Sequence, residues 1–145
     1  MATTQDRLQE VEKLDELYDG TSETELARES DSLRNWTRGL LYGWLAVFGS
    51  IVLLEPSPAN PNAPIPAWGN VLLTAFTFAL GAGLVGLIRQ RPWALRASLV
   101  AGALGMVIGG ACALTDHHSL LWAGYEMVGF SGLTAASWIA TKKTA

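Results

Sequence analysis

The chain has 145 residues, a formal net charge of -3 and a pI near 5.3, with 50% hydrophobic residues and only 16% charged ones. Ten of the thirteen acidic and five of the ten basic residues lie in residues 1–38, which leaves eight charges for the other 107 residues. A water-soluble domain and a disordered chain need more charge than this, and a nucleic-acid-binding protein needs an excess of basic residues. The composition therefore excludes all three and indicates one membrane domain.

Four apolar segments follow the charged N-terminal region, and each is long enough to predict a transmembrane helix. The predicted spans are residues 36–54, 67–88, 95–115 and 119–141. A soluble four-helix bundle is the rival interpretation, but it needs polar residues on about half of each helical turn. Residues 71–88 have only Thr74 and Thr77. We therefore predict an all-α membrane protein of two helical hairpins, residues 36–145, preceded by a cytoplasmic helical tail.

Basic residues indicate the orientation of the spans, since Lys and Arg are retained on the cytoplasmic side. From residue 34 onward they lie only at or before the start of the first span, in the link between the second and third spans or at the start of the third, or after the fourth: Arg34, Arg38, Arg89, Arg91, Arg96, Lys142 and Lys143. The links at residues 55–66 and 116–118 have none. We expect the plasma membrane of a prokaryote, with both termini in the cytoplasm and no cleaved signal peptide.

Residues 1–35 form the acidic tail, and their pattern predicts an amphipathic helix. Apolar residues recur at spacings of three and four through residues 4–19, and Gly20 is expected to end that helix. Ser22 followed by Glu25 has the spacing of a capping box and predicts a second helix. The tail is therefore expected to be a helical hairpin or a bent arm, either solvated or docked on a basic partner protein.

Small residues recur at intervals of four on the third and fourth spans. They are Ala97, Ala101, Gly105, Gly109 and Ala113 on the third, and Gly124, Gly132 and Ala136 on the fourth. Such rows let helix backbones approach each other, and close packing is a main source of helix association in lipid. They predict contacts within this chain's own bundle, or with a second copy or another membrane protein.

Glu126 is a carboxylate inside a predicted span, where an ionisable group is costly and commonly functional. It lies about 10 Å from the expected outer surface if the helix begins at Ser119. One interpretation is a carboxyl that is hydrated or hydrogen-bonded, for example to the Tyr42 hydroxyl. The other is a site for a proton or a cation.

Asp116, His117 and His118 form a second polar cluster, in the short link before the fourth span. Adjacent His residues beside an acid are candidate ligands for zinc or copper, but a complete site also needs Glu55, Glu126 or another subunit. A solvated turn is the simpler interpretation. Two histidines in one link also exclude a bis-His haem across this chain's bundle.

The sequence has no constellation of nucleophile, base and orienting group, and no phosphate-binding loop, so we predict neither an enzyme nor a cofactor. The single Cys112 excludes an internal disulfide and Cys-x-x-Cys chemistry. We expect a non-catalytic accessory or scaffold subunit of a larger membrane assembly, in contact with lipid and with a protein partner or a second copy. The alternative is a small oligomeric transporter or channel that uses Glu126 as its proton or cation site. An enzyme is third, and it would need a metal at His117 and His118.

Overall fold

The computed structural model describes the backbone of residues 4–56, 67–115 and 118–144, and the side chains in those ranges from residue 23 onward. Its helices are α1 (Thr4–Leu54), α2 (Ala67–Ile88), α3 (Trp93–Leu114) and α4 (Leu120–Lys143). These ranges contain no strand, so the all-α class is confirmed. The bounds of α2, α3 and α4 lie within two residues of the predicted second, third and fourth spans.

Three helices are long and apolar enough to cross a membrane, which supports a membrane protein. The candidate spans are Glu23–Leu54, Ala67–Ile88 and Trp93–Leu114. At 24 residues α4 is long enough as well, but it is less apolar than the other three. The fourth span therefore stays a prediction.

The end of the tail helix at Gly20 was predicted wrongly, because α1 is one helix of 51 residues that continues through Gly20 and Ser22. A glycine inside a helix costs only about 1 kcal/mol relative to alanine. Ending one helix there and starting another would add the cost of a second nucleation. Continuing the helix is therefore the less costly choice, and the expected hairpin is not formed.

Residues Met1–Ser32 and Leu33–Ala145 form two compact units. In the first, the side chains of residues 23–31 are exposed. In the second, α3 packs against both α2 and α4. The second unit contains all the candidate functional residues of the bundle.

Antiparallel contacts join α1 to α4 within the second unit. A Cβ on Gly43 would lie 3.1 Å from Leu133, and one on Gly129 would lie 2.7 Å from Val47. Because the residue number rises on one helix as it falls on the other, the two helices run in opposite directions. The end of α1 therefore lies beside the beginning of α4.

Four aromatic rings connect three helices in the core. The ring centroids of Trp44 on α1 and Phe130 on α4 are 6.1 Å apart, and Phe130 is 5.7 Å from Phe76 on α2. Phe48 on α1 is 6.3 Å from the same Phe76. Aromatic pairs at these separations add to the free energy of packing beyond the area that they bury.

A tight turn connects α2 to α3. The N–H of Arg91 donates to the carbonyl of Gly86 at 2.9 Å, and the N–H of Gln90 donates to that of Leu87 at 3.1 Å. Gln90 has a φ of 54°, in the left-handed region that favours glycine. The turn reverses the chain in a few residues, so α2 and α3 are antiparallel neighbours.

Candidate functional site

The glycines of the row on α3 face α4. A Cβ on Gly105 would lie 2.6 Å from the ring of Phe130, and one on Gly109 would lie 3.3 Å from Met127. Ala101 is buried with both glycines, while the two ends of the row, Ala97 and Ala113, are half-buried. Gly102 was not singled out from the sequence, but a Cβ there would lie closest to the Thr134 hydroxyl. Backbone contact between α3 and α4 thus depends on residues without a Cβ.

The row on α4 does not pack in this way. Of the predicted alternatives for Gly124 and Gly132, contact within this chain's own bundle is not formed, and contact with a second copy or another membrane protein stays a prediction. Gly124 and Gly132 are exposed, and a Cβ on either would meet nothing within 4 Å. Ala136 is half-buried. The buried face of α4 consists of Ala123, Glu126, Phe130, Leu133, Ser137 and Ala140. Large side chains determine which face of α4 turns inward, so the two glycines face away from the other helices.

A buried hydrogen-bonded chain crosses the bundle from α1 to α3 and α4. The Trp44 indole Nε1–H donates to the Ser98 hydroxyl at 2.7 Å, and that hydroxyl is 2.7 Å from the Ser137 hydroxyl. All three side chains are almost completely buried. These hydrogen bonds were not predicted from the sequence, although Trp44 is a tryptophan far from any predicted helix end. A tryptophan in the middle of a span indicates that its indole N–H has a partner inside the bundle.

Glu126 is buried between α3 and α4, with only 8% of its surface exposed. Gly109 on α3 lies against it: a Cβ there would be in ordinary van der Waals contact with Glu126, 3.5 Å from its Cβ and 3.6 Å from Oε2. The Oε2 atom has no hydrogen-bond partner in the described part of the chain, and the same is true of the buried Trp122 Nε1. The indole lies close enough to interact with the carboxyl without hydrogen-bonding geometry.

His118 lies at the edge of the same region. Its Nε2 is 3.2 Å from Oε1 of Glu55, whose side chain is 49% exposed. Glu126 interacts electrostatically with both residues. We call Glu55, His118, Trp122 and Glu126 the polar cluster. It joins the residue after α1 to the beginning of α4.

The metal site predicted at Asp116, His117 and His118 falls largely outside the described residues, which include only His118. Within the described ranges, no group of three or more His, Cys, Asp and Glu side chains could hold a metal ion. His118 is nevertheless beside Glu55, one of the residues that the sequence analysis required to complete such a site. The metal interpretation stays a prediction.

Tyr42 does not pair with Glu126, so this example from the sequence analysis is wrong. Its side chain is 68% exposed on α1, two residues before the buried Trp44 and therefore on the other side of the helix. A different tyrosine joins α4 to α1: the Tyr125 hydroxyl is 2.6 Å from the Ser50 hydroxyl. Tyr125 also stacks on Trp122, with ring centroids 5.3 Å apart.

In comparisons with known proteins, no family model, curated protein or solved structure matches the chain. The chemistry open to the polar cluster follows from its own groups. A buried carboxyl can bind a proton or a cation. An imidazole and a half-exposed carboxylate pair with each other at the edge of the same region and act electrostatically on Glu126.

Proposed function

We propose that the chain is a non-catalytic accessory or scaffold subunit of a larger membrane assembly. In this proposal α4 is the fourth span, the membrane is the plasma membrane of a prokaryote, and both termini are cytoplasmic. The observation that carries the proposal is the open face of α4, where Gly124 and Gly132 lie about two turns apart with free space in front of them. A helix of another subunit can approach closely at such a face.

The exposed surface of α4 is compatible with such a neighbour. It includes the small residues Gly124, Ser131, Gly132 and Ala135, beside large apolar side chains such as Leu121 and Val128. Small side chains let a neighbouring helix pack closely. A protein partner on α4 would also compensate for its lower apolar content.

The acidic tail supports the same role. Residues 1–32 carry ten acidic and three basic residues, a net charge of -7. The described side chains at positions 23–31 are exposed. Such a surface suits a basic partner protein better than the anionic cytoplasmic leaflet, which would repel it.

Purification from the native membrane in a mild detergent tests the proposal. We expect a second membrane protein to co-elute in constant ratio, as identified by mass spectrometry. Gly132→Leu should remove that protein, because the leucine fills the space that the partner helix occupies. Gly81→Leu is the matched control, since Gly81 is also exposed with nothing within 4 Å but lies on α2. Equal recovery of the partner from both variants would refute the role of α4.

A transporter or channel that uses Glu126 is the second candidate function, and the burial of Glu126 with an unpartnered Oε2 favours it. If it is correct, the purified chain should form a self-assembled oligomer and catalyse proton- or cation-coupled flux in proteoliposomes. Glu126→Gln should then abolish the flux while the fold is retained, because the amide keeps the shape and loses the titratable group. Flux of this kind would replace the subunit proposal.

A further inference from the structure

Helices α3 and α4 pack in antiparallel directions, and the surface beside their contact continues to the end of the bundle that carries basic residues. A Cβ on Gly102 would lie 3.2 Å from the backbone nitrogen of Thr134, and one on Gly109 would lie 3.3 Å from Met127. The residue number therefore rises on α3 as it falls on α4. Residues before Gly102 and residues after Thr134 approach the same end, which we call the basic end; it contains the α2–α3 turn and the end of α4.

Each of the two helices lines one side of this surface near the basic end. On α3, Arg96 and Leu99 precede Gly102 in a row at intervals of three, which turns gradually from the contact with α4 to the exposed face. On α4, Trp138 follows Thr134 by four residues and so lies one turn further along the same face. Arg96 and Trp138 are both exposed, about 9 Å and 6 Å beyond the contact of Gly102 with Thr134. They therefore lie at similar depths on neighbouring helices.

Lys142 lies one turn beyond Trp138, and its ammonium is 5.0 Å from the centroid of the Trp138 ring. A lysine ammonium over an indole face is attracted by the ring. An indole at the end of a span prefers the headgroup region of the membrane, so the ring holds the ammonium at that depth. We call Arg96, Trp138 and Lys142 the basic seam.

The acidic residues of the bundle lie far from the basic seam. Those that the structure describes in the second unit are Glu55 and Glu126. Gly109, which contacts Glu126, is thirteen residues or about 20 Å from Arg96 along α3. Glu55 acts on Glu126 and so belongs to the same distant end. Arg96 lies inside the candidate span Trp93–Leu114, where a positive charge is costly without a counter-charge. The arrangement favours a counter-charge from outside the chain.

A phospholipid headgroup supplies a negative charge at this depth in a membrane. Arginine can donate two N–H groups to phosphate oxygens, and lysine adds a compact positive charge. We propose that the basic seam binds the headgroup of an anionic phospholipid. Its acyl chains lie along the exposed apolar face of α3, where Val100 and Val107 follow Arg96. The inference rests on α4 being the fourth span, as proposed above, but not on a partner helix at Gly132.

Native mass spectrometry of the full-length protein, extracted in a mild detergent and titrated with lipid, tests the proposal. We expect phosphatidylglycerol to bind more tightly than phosphatidylcholine with the same acyl chains. Arg96→Gln combined with Lys142→Gln should weaken the phosphatidylglycerol complex about thirtyfold, the effect of two basic residues beside an anionic lipid. The matched control is Arg89→Gln combined with Arg91→Gln, which removes two charges from the α2–α3 turn and should change the affinity little.

Two results of this titration would overturn the proposal. Equal weakening by the two double variants would show that net charge at the basic end, and not the basic seam, attracts the lipid. Equal affinity of the wild type for the two lipids would show that no anionic headgroup is preferred. Neither measurement involves a partner protein, so a failed co-elution test for α4 and a failed lipid test are distinguishable.

A fluorescence measurement keeps the test decisive if the variant of Arg96 and Lys142 does not fold. In phosphatidylcholine vesicles, a small fraction of phosphatidylglycerol with brominated acyl chains should quench the tryptophan fluorescence of the wild type more than the same fraction of brominated phosphatidylcholine. Trp138→Phe should reduce this difference. Trp68→Phe should keep it, because Trp68 is an equally exposed indole at the beginning of α2, at the opposite end of the bundle. A difference that is absent in the wild type, or unchanged in Trp138→Phe, would overturn the proposal.

Discussion

Adding one methyl group at Gly105 should measurably separate α3 from α4. A Cβ there would lie 2.6 Å from two atoms of the Phe130 ring. Carbon atoms pack at about 3.5 Å or more, so the ring or the helix must move by about 1 Å. The ring has little freedom, because it packs against Trp44 and Phe76. Overpacking of this kind costs about 1–3 kcal/mol, so we expect Gly105→Ala to lower the free energy of unfolding by that amount relative to its control.

The control is Gly110→Ala on the same helix, where a Cβ would meet nothing within 4 Å. Both substitutions stabilise the helix by the same amount, about 1 kcal/mol in water. The difference between their free energies of unfolding therefore isolates the contact with Phe130. The assay is reversible unfolding in mixed micelles with increasing denaturing detergent. Phe130→Leu should partly rescue Gly105→Ala in a double-mutant cycle, because the smaller side chain leaves room for the methyl group. Equal stability of the two alanine variants would refute the close contact.

Three further predictions concern topology, the buried hydrogen bond and the turn. In a cysteine-free background, an impermeant thiol reagent should label Pro56→Cys from outside cells but not Thr144→Cys, because the distribution of Lys and Arg predicts a cytoplasmic C-terminus. Labelling of Thr144→Cys and not of Pro56→Cys would invert the orientation. Trp44→Phe should cost about 1 kcal/mol of unfolding free energy from its lost indole donor, whereas Trp138→Phe, a half-exposed indole, should cost less. Equal costs would argue against the buried bond. Residue 90 has a left-handed backbone, so Gln90→Val should lower the free energy of unfolding by about 1–2 kcal/mol in the same assay, and Gln90→Gly by much less. Equal losses of unfolding free energy would mean that the backbone of residue 90 is not left-handed in solution.

The helix bounds of the bundle could be predicted because they depend on local properties. An uninterrupted apolar segment of about 20 residues has few alternatives to a helix, and proline or charged residues mark its ends. Ala67–Ile88 therefore matches its predicted span residue for residue. The end of the tail helix at Gly20 was predicted wrongly, because one glycine is too weak a signal to terminate a long helix.

The faces of the helices could not be predicted in the same way. A row of small residues marks a surface that permits close approach, but it does not say whether the neighbour belongs to the same chain. On α3, Gly105 and Gly109 face α4, whereas Gly124 and Gly132 on α4 face outward, since Phe130 and Leu133 turn the opposite side into the core. The predicted hydrogen bond between Tyr42 and Glu126 was wrong for a related reason. Tyr42 and Tyr125 carry the same side chain on apolar helices, so the sequence does not distinguish them. The rotation of each helix about its axis decides which hydroxyl faces a partner.

Trp44 is synthesised long before the side chains that pair with its indole. The ribosome adds about 5–20 residues per second, and Ser98 lies 54 residues further along the chain. Ser137, which completes the hydrogen-bonded chain, follows another 39 residues later. During that interval α1 carries a polar donor with no partner from its own bundle, and lipid offers none. An unfinished or truncated chain thus presents an indole N–H that the finished protein conceals.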